Sequence, residues 1–361
     1  MPRSYDGGVP ADLASQTAPS ATRGWALRRE LARIAGLVLW PSAASMRGIT
    51  LAMLIADAGS IVTGAAVRLS ESGLGCPTWP DCTKQSLVAA SSKGDSLMHA
   101  WVEFGNRLFV TLVMIVAVLV FVATWRFGRG QAQPETAGER TRLLWLAGVQ
   151  PAGVAAQAIL GGIVVLTKLD PATVSIHFLL SIAILGAAVA LYARFADPPW
   201  PRGAGPVRAE LRWLSATLAG VTGLMLAAGT VVTGTGPLAG AASVPRYHLP
   251  LVGVTQFHAD IGWLLGGLAV AMVIALRFAG PPPVVLRWGW VLLGLIVSQG
   301  AIGYAQYFSG LPAGLVWVHV LGATLICIAA LRLFFLLWPR LLRPARAEQA
   351  SRTEPAPPTA A

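Results

Sequence analysis

Four ionisable side chains lie in long apolar stretches of this sequence, each a few residues after a polar break. They are Glu103, His177, His258 and His319. Inside a bilayer such a group costs about 2.5 to 3.5 kcal/mol, so it needs a partner or a ligand. A lone histidine can serve an interhelical hydrogen bond, but His258 and His319 fall at matching depth. Imidazole binds iron, and the small residues Gly262 and Gly322 one turn further in would admit a flat ring, so this pair predicts axial ligation of a heme.

Self-comparison of the sequence indicates two similar halves. Residues 59–64 (GSIVTG) correspond to residues 229–234 (GTVVTG) at an offset of 170, and residues 157–161 (QAILG) to residues 299–303 (QGAIG) at an offset of 142. His177 and His319 are related by the same offset of 142. Because independent features share one offset, we predict a tandem duplication.

The first half differs from the second in its candidate ligands. An offset of 152 places Asn106 opposite His258, so His177 is the only obvious ligand that remains. One helical face around this position, by i, i+3 and i, i+4 spacing, carries His99, Glu103, Asn106 and Arg107. An incompletely ligated heme beside a carboxylate suits a substrate. The alternative is a Glu103–Arg107 ion pair that only holds the helix in place.

Eight apolar stretches must position these residues. The chain of 361 residues is 55% hydrophobic and 12% charged, unlike a soluble domain. A spanning helix needs about 20 mostly apolar residues. Such stretches are centred near Ile55, Val113, Ala156, Ala183, Gly223, Gly266, Leu293 and Leu325. We therefore predict an all-α integral membrane protein of eight transmembrane helices, arranged as two tandem-duplicated four-helix bundles.

The distribution of basic residues predicts the orientation. Of 27 Lys and Arg residues, 21 fall on segments that an eight-span arrangement places inside and five on outside loops. This bias follows the positive-inside rule, so both termini are predicted to be cytoplasmic. It also explains the net charge of +11 without a nucleic-acid partner.

The spans divide the chain into four regions. Residues 1–45 are predicted to be a disordered cytoplasmic tail that ends in a short interfacial segment at residues 34–40. Residues 46–197 form the first bundle, which we assign to the substrate heme, and residues 198–340 form the second, which we assign to heme b. Residues 341–361, rich in Pro and Ala, are predicted to be a disordered cytoplasmic tail.

The three cysteines fall in different environments. Cys76 and Cys82 lie in the first outside loop, where an oxidising compartment permits a disulfide. A metal site would need further Cys or His ligands nearby, and two free thiols are the remaining alternative. Cys327 lies inside the last span and is predicted to be a small packing residue. His248, in an outside loop, receives no role.

Several of these segments resemble the heme A synthase family. They are the loop VRLSESGLGCPTWPDC, the segment WVEFGNRL, and the pair QAILGG and SQGAIG. The resemblance covers residues 46–338. It implies oxidation of the C8 methyl of heme O to a formyl group, by successive hydroxylation and loss of water, to give heme A for terminal oxidases. It further implies that the protein lies in the plasma (inner) membrane of a bacterium, with heme O synthase and cytochrome oxidase assembly factors as partners. A homo-oligomer is compatible with this resemblance.

The resemblance also implies roles for individual residues. His258 and His319 would ligate a low-spin heme b, Glu103 would be the essential carboxylate, and His177 a ligand or neighbour of the substrate heme. The cysteine pair Cys76 and Cys82 would be linked to handling of that substrate. The family often has histidine where this chain has Asn106, and His99 is our candidate replacement.

Two other functions fit parts of the pattern. A non-enzymatic b-type cytochrome that passes electrons between quinol and an outside partner also uses bis-histidine bundles, but it predicts four histidines where this chain has three and an asparagine. A transporter would also be duplicated. The polar layer, however, lies near one face, and the helices lack paired Gly/Pro breaks at the midplane.

Overall fold

The structure is a computed structural model of the chain. It describes residues 20–89, 97–127, 137–197, 207–241 and 243–342. The described residues form ten helices and contain no extended strand, which confirms the predicted all-α class. The helices are α1 (Ser20–Leu39), α2 (Ala43–Leu69), α3 (Leu97–Phe127), α4 (Ala137–Leu166), α5 (Pro171–Ala196), α6 (Ala209–Thr235), α7 (Leu251–Ala279), α8 (Pro283–Phe308), α9 (Ala313–Leu337) and α10 (Pro339–Leu342).

Helices α2 to α9 are the eight predicted spans. Each is long and apolar enough to cross a bilayer. Large apolar side chains point away from the protein along them; Trp263 is 70% exposed and Phe278 is 86% exposed. Because water would not tolerate such a surface, these side chains face lipid, and the chain is a multi-pass membrane protein.

Local sequence signals set several helix ends. The Ser42 side chain accepts a hydrogen bond from the backbone N–H of Ser45 and, with the Ser45 side chain, forms a capping box at the start of α2. Asp170 caps α5, where Pro171 occupies the first turn. Helix α7 ends at Ala279 and is capped by Gly280, whose φ of 59° is a conformation that glycine adopts without steric cost.

The two halves have the same helix arrangement. In the first, α2 contacts α3, α3 contacts α4, α4 contacts α5, and α5 returns to α2. The second repeats this ring with α6, α7, α8 and α9. The connections also repeat: Leu169 and Leu311, which are 142 residues apart, both have positive φ values, of 59° and 61°. The preceding residues, Lys168 and Gly310, share this left-handed region. A backbone conformation that is unusual for leucine thus recurs at the predicted offset.

The interface between the halves is close to two-fold symmetric. Helix α5 contacts its counterpart α9, and the contact of α2 with α9 is matched by that of α6 with α5. A buried ion pair crosses this interface between Arg332 of α9 and Asp197 at the end of α5. Nearer the predicted outer face, the Trp317 indole donates to the carbonyl oxygen of Val62 at 2.9 Å. The two bundles are therefore held together by polar contacts at both ends.

The N-terminal region is more helical than the sequence predicted. Helix α1 begins at Ser20, well before the apolar stretch that predicted an interfacial segment, so the disorder predicted for residues 20–33 is wrong. Val38 near its end packs with Met46, Ala123 and Phe127. This end of α1 therefore docks on α3, whereas residues 28–37 are exposed. Residues 1–19 and 343–361, also predicted to be disordered, lie outside the described residues.

Candidate functional site

Each of the three predicted ligand histidines packs its ring against a glycine of the preceding helix. A Cβ atom added to that glycine would lie 3.2 to 3.4 Å from Cε1 of the imidazole. The pairs are His177 with Gly161, His258 with Gly229, and His319 with Gly303. Gly161 and Gly303 are equivalent in the repeat, so the seat of the imidazole recurs at His177 and His319, whereas Gly59, the counterpart of Gly229, lies against Phe109.

A glutamine fixes the backbone of two of these histidines. Nε2 of Gln157 donates to the carbonyl oxygen of His177 at 2.9 Å, and Nε2 of Gln299 donates to that of His319 at 2.6 Å. The same donor and acceptor recur 142 residues apart. The predicted correspondence of α4 with α8 and of α5 with α9 is therefore confirmed at the level of single hydrogen bonds.

The second half has His258 on α7 and His319 on α9, two helices of the same ring. Both rings lie against glycines of α6 and α8. Within the described residues, Nδ1 of His319 is buried and has no hydrogen-bond partner. A buried polar atom of this kind needs a partner or a ligand. Two imidazoles from helices of one bundle fit an iron porphyrin, because its ring supplies the other four ligands of the iron.

Two other glycines do not have the role that the sequence predicted for them. Gly262 and Gly322 were expected to make room for a flat ring. A Cβ on Gly322 would collide with the side-chain amide of Gln299, and a Cβ on Gly262 would meet Cε of Met225 at 3.3 Å. These glycines thus accommodate protein side chains, whereas Gly229 and Gly303 face the imidazoles.

The first half contains a cavity of ≈ 90 Å³. Its lining residues are Asp57, Ser60, Gly64, Asn106, Val110, Val113, Val154, Gln157, His177, Ser181 and Ile184. Asn106 and His177, at the positions equivalent to the histidine pair of the second half, both line it. Among the described residues, Oδ1 of Asn106 and Nδ1 of His177 are buried without a hydrogen-bond partner. The cavity is therefore a polar site with one imidazole and one unsatisfied amide.

Glu103 does not line this cavity in the structure. Its side chain is buried, and both of its oxygens are engaged: Oε1 accepts from Arg107 at 2.6 Å and Oε2 accepts from the backbone N–H of Cys76 at 2.7 Å. The ion pair that was the alternative interpretation of this residue is present. It also does more than hold α3, because it attaches the loop between α2 and α3 to that helix.

Arg107 completes this attachment. Its guanidinium donates to four carbonyl oxygens of the loop, those of Cys76, Thr78, Pro80 and Asp81, at 3.1 to 3.4 Å. A planar guanidinium can satisfy several acceptors at once because its donors point in fixed directions. We refer to residues 72–82, which fold over Glu103 and Arg107, as the clamped loop.

The clamped loop contains the cysteine pair and closes against two helices. The Sγ atoms of Cys76 and Cys82 lie 2.03 Å apart, and both residues are buried. A Cβ on Gly162 of α4 would run into the Trp79 ring, so this glycine lets the loop approach the helix. The loop therefore sits at the predicted outer end of the first bundle, beside the cavity.

His99 belongs to the edge of this loop. Its Nδ1 lies 2.9 Å from the Ser72 hydroxyl, and it is not among the residues that line the cavity. The structure therefore does not bring the candidate replacement ligand to His177. His248 is exposed, and Cys327 is a buried free thiol, as expected of a packing residue.

The sequence analysis missed one residue of the site. Asp57, in the middle of α2, lines the cavity with its side chain 4% exposed. A lone acidic residue in an apolar span was a sufficient signal for it. Asp57 lies at mid-membrane, away from the predicted outer ends of α3, α5, α7 and α9 where the other candidate residues are found.

These features define a class of protein: a multi-pass, all-helical membrane protein of two repeated four-helix bundles, with histidines seated between helices of both. The family model described as "Cytochrome oxidase assembly protein" matches residues 47–331. The chain belongs to this family, which is the heme A synthase family.

Individual relatives agree with this membership. A "Heme A synthase" of Azorhizobium caulinodans is 25% identical over 75% of this chain and 88% of its own length. A "Heme A synthase" of Lysinibacillus sphaericus is 32% identical over 39% of this chain and 42% of its own length. A "Protoheme IX farnesyltransferase" of Chloroflexus aurantiacus is 30% identical over 59% of this chain, but the match covers only 35% of that protein.

Proposed function

We propose that the chain is a heme A synthase, a heme-dependent oxidoreductase that converts the C8 methyl of heme O to a formyl group. The observation that carries the proposal is the difference between its two halves. One half has an imidazole at both equivalent positions, on α7 and α9, and the other presents a single imidazole and an amide to a cavity. A site saturated by two ligands suits a resident cofactor, whereas a site with one ligand suits a molecule that must enter and leave.

In the second half, His258 and His319 would hold heme b. When bound, this group supplies one-electron transfer chemistry. The protein contributes the geometry: Gly229 and Gly303 leave room for the rings, and Gln299 fixes the backbone beneath His319. These contacts set the direction of each imidazole before any ligand binds, and such supporting contacts commonly change metal affinity about 10–100-fold.

In the first half, His177 and Asn106 would face the substrate. The unsatisfied ring nitrogen and amide oxygen provide one metal-binding group and one hydrogen-bond acceptor. The hydroxyls of Ser60 and Ser181 and the amide of Gln157 line the same cavity. Of these groups, only His177 can ligate iron in its neutral state, so we assign the substrate heme to this residue.

Glu103 would act as a positioning residue. Because its two oxygens hold Arg107 and the backbone of Cys76, loss of the carboxylate would release the clamped loop from α3. The loop would then no longer close the outer end of the bundle around the substrate. We further propose that Cys76 and Cys82 form a disulfide that keeps the loop compact while it is clamped.

The location and partners follow from the same proposal. We place the protein in the bacterial plasma membrane with both termini in the cytoplasm. Its surface would contact lipid, and in a homo-oligomer it would also contact further copies of the chain. Cytochrome oxidase assembly factors and a heme O synthase are the proposed partners. The relative that is named for protoheme IX farnesyl transfer supports the second of these, because a matching region occurs within its own chain.

Identification of the hemes that copurify with the protein tests the function. The full chain is expressed in a host that makes heme O, its hemes are extracted with acidified solvent, and they are identified by mass. We expect heme b together with heme O or heme A. Heme b alone, at two per chain, would indicate the electron-carrying cytochrome instead.

Three substitutions separate the roles of the two halves. His258→Ala and His319→Ala should each abolish the low-spin heme b absorption. Glu103→Ala should keep that absorption and stop formation of heme A. Glu103→Gln should form part of the normal amount of heme A, because an amide oxygen can still accept from the Cys76 N–H. Normal heme A formation by Glu103→Ala would refute the role of the clamped loop.

A further inference from the structure

Asp57 is a carboxylate in the middle of a membrane-spanning helix. It lies midway along α2, its side chain is 4% exposed, and it forms no ion pair with any described Lys, Arg or His. A buried carboxylate without a cation is more stable as the neutral acid than as the anion, because nothing nearby offsets the lost hydration. Such residues in membrane proteins are commonly functional, and proton exchange is a frequent role.

The surroundings of Asp57 are polar. In the amide orientation of Gln150 that satisfies both of its ends, Nε2 donates to Oδ2 of Asp57 at 3.0 Å and Oε1 accepts from the backbone N–H of Ala188 at 3.0 Å. This bond fixes the carboxyl group from the side away from the predicted outer face. On the other side, Asp57 faces the cavity that also contains the Ser60 and Ser181 hydroxyls.

The repeat shows that the fold does not need this polar set. At the offsets of 170 and 142, the second half has Ala227, Leu292 and Ala323 in place of Asp57, Gln150 and Ser181. Leu292 is 1% exposed and Gln150 is fully buried, so these two equivalent positions are equally deep, whereas Ala227 is half-buried. The second bundle forms the same ring of helices with apolar residues there. The carboxylate and its partners are therefore a property of the first-half site.

We propose that Asp57 is the acid–base group of the first-half cavity and exchanges protons with oxygen atoms of the substrate held at His177 and Asn106. This proposal rests on the proposed function. It deepens that function because, among the described residues, Asp57 is the only carboxylate that lines the cavity, whereas the oxygens of Glu103 are occupied by Arg107 and the Cys76 N–H. The hydroxyls of Ser60 and Ser181, which line the same cavity, offer intermediate positions for the proton.

The loss of water from a doubly hydroxylated methyl group illustrates the exchange. The neutral Asp57 acid gives its proton to one hydroxyl, whose C–O bond breaks as water leaves. The remaining hydroxyl forms the C=O bond and returns its proton to the carboxylate. One water and one formyl group result, Asp57 regains its proton, and no electrons are exchanged. General acid–base catalysis by a positioned side chain typically contributes about 10²–10⁴-fold to a rate.

Asp57→Asn tests the proposal, with Asp260→Asn as the matched control. Asp260 is also an acidic residue of a spanning helix, but it is exposed and bonded to Gln256 in the second half. Asp57→Asn should slow heme A formation by about 10²-fold and accumulate dihydroxylated heme O, in line with the loss of an acid–base group. The hemes are extracted with neutral solvent before analysis by mass, because acid would itself remove water from the diol. Asp260→Asn should resemble the unsubstituted protein. Retention of the second-half heme absorption reports that each variant folds.

A second readout does not depend on turnover. Infrared spectra of protein labelled with ¹³C-aspartate should contain a carboxylic acid C=O band that shifts in D₂O and is absent in Asp57→Asn. If Asp57→Asn makes heme A at the unsubstituted rate, or if the band persists in it, the acid–base role is wrong. If the unsubstituted protein itself never yields heme A, the proposed function fails, and the infrared band still decides whether Asp57 is a neutral, exchanging acid.

Discussion

The seat of His319 on Gly303 gives a quantitative prediction about the second-half site. A Cβ at position 303 would lie 3.2 Å from Cε1 and 3.8 Å from Nδ1 of the imidazole. Ordinary van der Waals contacts begin at 3.4 Å, so the ring has to move by a few tenths of an ångström in Gly303→Ala. The carbonyl oxygen of His319 is held by Gln299, so the ring has to tilt rather than shift with its backbone.

The expected size of the effect follows from this small displacement. Changes in the groups that orient a metal ligand commonly cost about 10–100-fold in affinity, and a tilt of a few tenths of an ångström places Gly303→Ala near the lower end, at about 10-fold. Gly300→Ala is the matched control, because a Cβ there meets nothing within 4 Å. Alanine is favoured over glycine in a helix by about 1 kcal/mol, so neither substitution should weaken α8 itself.

Titration of hemin into the apoprotein in detergent provides the assay. The low-spin absorption band measures occupancy, and thermal unfolding of the apoprotein measures stability. Gly303→Ala should bind about 10-fold more weakly than Gly300→Ala, with apoprotein stability equal within error. Equal affinities in the two variants would refute the reasoning that the glycine seats an axial ligand.

Three further predictions concern other contacts. Gln299→Leu removes the hydrogen bond to the His319 carbonyl and should destabilise the second bundle by about 1 kcal/mol, measured as a lower Tm than that of the unsubstituted protein. Asp197→Ala leaves Arg332 buried without its partner and should cost about 3–5 kcal/mol, whereas the double substitution with Arg332→Met should recover most of this loss in thermal unfolding. Arg107→Lys replaces a guanidinium that reaches four loop carbonyls, so reduction of the loop cysteines by a water-soluble phosphine should become faster; an unchanged rate would argue against the clamp.

The architecture could be predicted from the sequence because its signals are local. Eight apolar stretches and two shared offsets need no knowledge of long-range contacts, and all eight became helices within a few residues of the predicted centres. The matching depth of the histidines in the membrane follows from their distance along the sequence from the start of each apolar stretch. The sequence analysis also identified the residues 157–161 and 299–303, although it did not foresee that their terminal glycines would face the imidazoles.

The environment of Glu103 could not be predicted in this way. Its position on α3 indicated the ion pair with Arg107, since four residues separate them along a helix. The hydrogen bond from the Cys76 N–H depends on how a loop 27 residues earlier folds back onto α3. The spacing of apolar residues along the sequence does not predict such a loop conformation. For the same reason His99 appeared to belong to the site, although its contact with Ser72 places it at the edge of the loop.

The two halves illustrate how a duplicated bundle can acquire two chemistries without a change of fold. Both retain the glutamine that holds a histidine carbonyl and the glycine that seats the ring, so the backbone of each site is the same. Under the proposed function, a second imidazole would saturate the iron, and an asparagine in its place leaves the first site able to exchange its occupant. Behind that site, Gln150 takes the place of Leu292 at equal depth, and the buried Asp57 takes the place of the half-buried Ala227, so the polar groups of the first half lie at positions where the second half packs with apolar residues.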